Sequence, residues 1–322
     1  MTTHVRSPTA RLELPDGLVI AATTDPSDAL LARFFERYDA AFILPSEKEE
    51  WSGFVDCLAL NDGAAYAKIE AKWGPFREWV LLVSDRNLDD AVVGGANFIC
   101  YPLAEAPRDP VLSMNLNYLF VAPEHRGRGY LRRITDACTV LARRSFAQPA
   151  SQAAPSLLNF LEQNDPLRLD QVAYAQDSAH AGIDQVDRVR IWQRAGARII
   201  DFPYAQPPLS PDQPADEALM LSVIGATGPA LDACTLKAHL ERFFAISVLK
   251  GGDPFSEPVS ARQLALCDQA CRAKRPFRLL DPRSWLEALG DGPPYRLETA
   301  LAHDGAPARL IDSLRALPSN GG

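Results

Sequence analysis

The chain has 322 residues, enough for one elaborated domain or two of ordinary size. Hydrophobic residues make up 47% and charged residues 23%, which supports a packed core and excludes a wholly disordered or fibrous chain. The formal charge of −8 argues against a protein that coats nucleic acid or an anionic membrane, although a local basic patch can still hold phosphate.

The first 17 residues carry no apolar signal-peptide core, and no run of about 18 uncharged apolar residues occurs, so neither secretion nor a membrane span is expected. The six cysteines include no C-x-x-C pair and the five histidines are scattered. Plain buried thiols in a reduced cytoplasmic protein, with no metal site, are therefore expected. Cys267 and Cys271 fall one helical turn apart.

In chain order, Gly17–Ala22 reads as a buried strand, and Thr24 to Asp28 offers cap chemistry for a helix reaching Tyr38. Ser46 and Glu49 have capping-box spacing ahead of a helix with Trp51, Phe54, Val55 and Leu58 on one stripe. Glu78–Ser84 and Ala91–Tyr101 read as a strand pair joined by a polar hairpin loop. In Ser113–Val121, alternation puts Met114, Leu116, Tyr118 and Phe120 on one face; the other starts polar with Asn115 and Asn117 and turns apolar at Leu119 and Val121. A helix follows from about Gly129 to Arg144, then a loop at Gln148–Pro155 and a strand at Ser156–Glu162.

Residues 163–186 show no clean period, and Asp187–Arg194 read as a helix stopped by Gly196. Ala197–Tyr204 and Ala218–Ile224 read as strands, joined by the proline-rich Ala205–Ala215 as a long hairpin connection rather than a domain linker. Beyond Pro229 the pattern is mostly helical, over about Leu231–Leu249, Ser260–Ala273 and Arg283–Leu289. The organisation expected is a flexible lead-in at 1–16, a catalytic-type α/β domain at 17–229 and a helical extension at 230–322.

Chemistry concentrates in Leu119–Ile134, where a strand ends, Arg126-Gly127-Arg128-Gly129 turns the chain, and a helix starts at once. Two glycines let successive N–H groups converge, and the first helical N–H groups lack intrahelical partners. With the helix dipole they form a receptor for phosphate or pyrophosphate, and Arg126, Arg128, Arg132 and Arg133 add positive charge. Tyr130-Leu131 after Gly129 excludes a Walker loop, and the missing third glycine excludes the Rossmann fingerprint. The residues alone leave a solvated surface turn as the alternative.

This stretch resembles the signature of the GNAT N-acyltransferase superfamily, R/Q-x-x-G-x-G/A. Arg126 and Gly129 match the first two fixed positions, Leu131 stands where Gly or Ala is usual, and Val121-Ala122-Pro123 matches the family's lead-in. The resemblance covers roughly residues 17–224. It implies an α/β fold with a central mixed, mostly antiparallel sheet flanked by helices, here with a helical C-terminal extension. It further implies acetyl-CoA or another acyl-CoA as co-substrate, with cofactor contacts from Leu119, Val121, Arg126, Gly127, Arg128, Gly129, Tyr130 and Leu131, and from Asn164.

The implied reaction is direct acyl transfer to an amine of a small molecule or peptide. Glu162, at the end of the strand beside the cleft, is the candidate base. The family's usual tyrosine acid is replaced by Trp192, so Tyr174, and less directly Tyr204, are the candidate acids; His125 is expected to be exposed. Asp165, Asp170, Asp177 and Asp184 lie in the unpatterned insert, where a solvated loop and attraction of a cationic acceptor are both open readings. No nucleic acid, membrane or metal is expected, and a homodimer is left open. A non-catalytic acyl-CoA-binding sensor or interaction module is the alternative.

Overall fold

The structure is a computed structural model and describes residues 9–14, 16–45, 48–103, 111–146, 156–210, 212–295, 297 and 309–317. Strands β1 (Thr9–Glu13) and β2 (Leu18–Thr23) pair antiparallel, so residues 9–13 of the expected lead-in are an edge strand. Helix α1 (Ala29–Ala41) is capped by Asp28, whose carboxylate accepts from Leu30 N at 2.8 Å. Helix α2 (Trp51–Ala59) starts without a side-chain cap at Glu50, and the expected cap Ser46 lies outside the described residues. A further helix, α3 (Gly63–Trp73), was not anticipated, because its polar sequence buries only Ile69.

Strands β3 (Arg77–Asp85), β4 (Ala91–Leu103) and β5 (Val111–Val121) form an antiparallel meander. Helix α4 (Tyr130–Ser145) then returns the chain to β6 (Ser156–Asn164), which pairs parallel with β5. The segment 163–186 is not irregular: it holds α5 (Gln171–Ala181) and leads into α6 (Gln185–Arg194). Asp170 caps α5 and Asp184 caps α6. The period was hidden because α5 buries Asp177 alone.

Strand β7 (Arg198–Ile200) and β8 (Leu219–Ile224) pair antiparallel across the proline-rich connection, as expected. The C-terminal third is not purely helical. It adds β9 (Ala230–Leu231), α7 (Ala233–Phe243) running into a π-turn (Phe244–Val248), α8 (Pro258–Arg272), β10 (Phe277–Leu280), α9 (Arg283–Leu289) and α10 (Leu310–Ala316). Strand β10 pairs with β7, which extends one sheet to the order β1-β2-β3-β4-β5-β6-β8-β7-β10-β9. Residues 230–280 therefore build onto the same sheet as the preceding domain.

The sheet is buried on both faces, as the period of two requires. Trp79, Leu81 and Val83 of β3 and Ala96, Phe98 and Cys100 of β4 pack in one cluster with Ile134, Ala137 and Leu141 of α4. On the opposite face Val80 and Leu82 meet α1 and α2, while Ile99, Tyr101 and Leu103 meet Leu236 and Leu240 of α7. Cys57, Cys100, Cys138 and Cys267 are buried thiols, whereas Cys234 and Cys271 are disulfide-bonded, joining α7 to α8. The expectation of six free thiols fails there because the packing of α7 on α8 brings their Cα atoms to 4.7 Å.

Candidate active site

The site begins where two strands part. The β5–β6 ladder ends at Leu116 opposite Leu161. Beyond it β5 continues beside β4, and β6 continues beside β8. The cause is a β-bulge: Asn97 opposes Tyr118 while Phe98 opposes Leu116, so Asn117 is an extra residue on β5. The bulge also flips the strand. Leu112, Met114 and Leu116 face α4, but after Asn117 it is Leu119 and Val121 that do, with Phe120 and Tyr118 turned to α1. Met114, Leu116, Tyr118 and Phe120 therefore do not share one face.

The parting leaves hydrogen-bonding groups unused. Ala122 N donates to Val93 O at 3.0 Å, so the backbone N–H of Phe120 also points to β4 by the strand period. The N–H groups of Leu119 and Val121 then point into the gap. Directly after β5, Gly127 and Gly129 adopt positive φ of 74° and 78°, and Gly129 caps α4. Among the described residues, no protein acceptor meets the N–H groups of Gly127, Arg128, Gly129, Tyr130, Leu131 or Arg132. A Cβ at Gly127 or Gly129 would meet nothing within 4 Å, so the cradle opens onto free space. The Tyr130 side chain, in contrast, is buried and donates to Asp85 Oδ2 at 2.6 Å, anchoring the start of α4.

The sheet order, the parted parallel pair and this turn together decide the architecture. The fold is of the GNAT type. No family model matches the sequence, and no curated protein matches it. Among solved structures, one from Bacteroides thetaiotaomicron described as a GNAT-family acetyltransferase shares 14% identity over 71% of this chain and 97% of its own, with a TM-score of 0.41. One from Desulfovibrio desulfuricans, described likewise, shares 16% over 65% of this chain and 98% of its own, at a TM-score of 0.34. The NatC complex bound to Gag peptide and CoA matches at 10% identity over 67% and 100%, with a TM-score of 0.32.

The GNAT-type cleft is a continuous cavity of about 490 Å³, a size usual for small-molecule sites. It is lined by Leu119, Val121, Arg126, Gly127, Gly129, Tyr130 and Leu131 at one end, and by Glu162 and Asn164 on the β6 wall. Arg128 is exposed and outside this lining. The arginines are less free than the sequence suggested. Arg126 donates to the carbonyls of Val121, at 3.1 Å, and Ala181, and Arg133 is held by Asp16 at 2.8 Å. Burial and the nearby Arg188 charge lower the Arg126 pKa from its ordinary value, so two guanidiniums stand close together at the turn end. Arg188, which the sequence reading missed, also lines the cavity and pairs with Asp177 at 2.6 Å.

Glu162 stands one residue past the last β5–β6 pair, with Tyr204 donating its phenol to the carboxylate. Tyr174 is not among the residues that line the cavity: its hydroxyl donates to Asp184 at 2.5 Å, and burial raises its pKa, so the geometry lends no support to a role as acid. The acidic insert does not face an acceptor either. Asp170 and Asp184 are helix caps, Asp177 is ion-paired, and buried Asp165 accepts from Leu310 N at 2.9 Å. Trp192 lines the cavity, and His125 is half-buried outside it. Among the described residues, no group of three or more His, Cys, Asp or Glu is arranged to hold a metal, and no helix is long and apolar enough to cross a membrane.

The far end was not anticipated. Glu78, at the start of β3, is 1% exposed yet lines the cavity. Its Oε1 accepts from Asn97 Nδ2 at 2.8 Å and from the bulged Asn117 at 2.9 Å, and its Oε2 accepts from Ser247 of the π-turn at 2.8 Å. Burial raises its pKa to about 7, against the lowering effect of those bonds. The available signal was a lone glutamate opening an otherwise apolar strand run, Glu78–Ser84.

Proposed function

We propose that the chain transfers an acyl group from acetyl-CoA or another acyl-CoA directly to the nitrogen of an amine. The observation that carries this reading is the polarity of one continuous cleft. Unpaired N–H groups and two arginines crowd the turn end, while Glu162 and Glu78 stand toward the other. An anionic diphosphate belongs at the first end and a cationic amine at the second.

In this reading the N–H groups of Gly127 to Leu131 hold the pyrophosphate. The pantetheine arm completes the broken β5 edge, and the N–H groups of Leu119 or Val121 receive the thioester oxygen as it gains charge during attack. Glu162, fixed by Tyr204, orients the incoming ammonium opposite Asn117. Asn164 lies further along the same wall, its Oδ1 free of a protein partner among the described residues. Leu131 lines the cavity, and in this reading its backbone N–H supplies the contact.

Trp192 at the cavity wall favours a second reading, a non-catalytic acyl-CoA sensor, since an indole N–H is too weak an acid to protonate a thiolate. A thiol-release assay with acetyl-CoA and a panel of amines, beside CoA titration by calorimetry, separates the two. Release that depends on an amine supports transfer. Binding without release for every amine supports the sensor, and no CoA binding at all overturns both.

A further inference from the structure

The acceptor end of the cleft is built by parts of the chain far from the turn. Helix α2, the 205–209 segment and the π-turn wall it, and hydrogen bonds tie these walls together. Lys250 Nζ lies 2.9 Å from both Glu49 Oε2 and Leu209 O, and Cys57 Sγ lies 3.3 Å from Ser247 O. A long peptide threaded past Glu78 would have to break these ties. Phe42, Phe54, Tyr118, Leu209, Phe243 and Val248 supply apolar and aromatic lining, and beside them stand polar residues of which the Glu78 carboxylate is more deeply buried than that of Glu49.

The Glu78 carboxylate lacks a counter-ion in contact. The three side chains that donate to Glu78 are all neutral, and the nearest ammonium, Lys250, is bonded to Glu49. Around it stand Glu49 and Lys250, the buried Cys57 thiol and the buried Tyr101 phenol of β4 as the other titratable groups. A carboxylate buried beside neutral donors gains most from a cation that enters with its own charge. Asn117 links this carboxylate to the bulge that opens the strands, two residues before Leu119, so Glu78 is tied to the position of the thioester.

We propose that Glu78 takes the proton from the acceptor's ammonium, and that the acceptor is a small primary amine with an aromatic or branched aliphatic body. This rests on the acyl-transfer reading above. The ammonium gives one proton to the Glu78 carboxylate, and the nitrogen lone pair then forms a bond to the thioester carbon. The carbon–sulfur bond breaks, the sulfur takes its electron pair, and the second amine proton passes to it as free thiol. Glu78 returns its proton to solvent. A carboxyl titrating near 7 suits this exchange at neutral pH.

The test uses the full chain with acetyl-CoA, and 2-phenylethylamine, isopentylamine and a tripeptide with a free N-terminus as acceptors. The expected result is a higher kcat/KM for the two small amines than for the peptide, with an acid limb near pH 7. Glu78→Gln should lower kcat/KM about 100-fold or more at pH 7 and remove that limb, with CoA affinity kept within threefold. Ser247→Ala removes a bond that lowers the Glu78 pKa, so its acid limb should move to higher pH. A merely structural Glu78 would leave the limb unmoved in both variants. Amine-dependent thiol release with an unmoved limb, or with the peptide preferred, overturns this inference and leaves the acyl-transfer reading standing. Failure of the wild-type chain to bind CoA overturns both.

Discussion

Ser247, in the π-turn, donates its hydroxyl to Glu78 at the start of β3 across 2.8 Å and 169 residues of chain. The bond makes the C-terminal third a wall of the cleft. It also fixes a buried carboxylate whose charge state couples folding to pH. The native pKa of Glu78 is raised from 4.5 to about 7, so the folded chain holds this proton more tightly than the unfolded chain. Its contribution to stability is therefore fully present below about pH 4.5 and is lost as pH rises to 7, on the order of 3 kcal/mol. Glu78→Gln lacks this dependence. Thermal melts at pH 5 and pH 8 should show the variant gaining in Tm relative to wild type at the higher pH, and a constant difference would refute the buried-carboxylate account.

Gly129 caps α4 at φ 78°, with open space where a Cβ would lie. Gly129→Asp should therefore fold with a strain cost of about 1 kcal/mol, while its carboxylate faces the site proposed for the diphosphate. Calorimetry should show CoA affinity falling at least 100-fold with only a small drop in Tm. Affinity like that of the wild type would remove the turn from cofactor binding.

Tyr174 bonds to Asp184, the cap of α6, and lies off the cavity, whereas Glu162 lines it and is held by Tyr204. Tyr174→Phe should keep kcat within twofold and lose about 1 kcal/mol of stability. Glu162→Gln should raise the KM for the amine and lower turnover, with little change in CoA affinity. Steady-state kinetics in both substrates separates these outcomes, and a 100-fold loss in Tyr174→Phe would restore that residue as a catalytic acid.

The Cys234–Cys271 bond closes a span of 37 residues and joins the start of α7 to the end of α8. In the chain-entropy account its loss costs about 4 kcal/mol. Cys271→Ser, or thiol reductant on the wild type, should lower Tm by several degrees. Cys271→Ser should itself lose the sensitivity to reductant, whereas Cys267→Ser in the same helix, which leaves the bond in place, should keep it.

Much of the frame was legible because strands with one dominant contact pattern write it into the chain. The β3–β4 hairpin, β5, the Arg/Gly turn and α4 follow from alternation, glycine placement and an apolar stripe. Helices α3 and α5 were hidden because each buries a single residue, and β7 was overextended because Phe202 and Tyr204 are buried without pairing in the sheet. The bulge did leave a trace. The apolar side of Ser113–Val121 changes parity after Asn117, which strict alternation treats as two apolar faces and a bulge explains as one strand that flips.

The sequence by itself determined the cradle at Gly127 to Leu131, since strand end, paired glycines and helix start are all local, and local geometry aims the free N–H groups. Only the tertiary structure decided the acceptor end. Glu78, Asn97, Asn117 and Ser247 lie on three strands and a π-turn, and no spacing along the chain connects them. Their meeting depends on sheet order, on one inserted residue in β5 and on how α7 docks, all of them set by packing between distant segments.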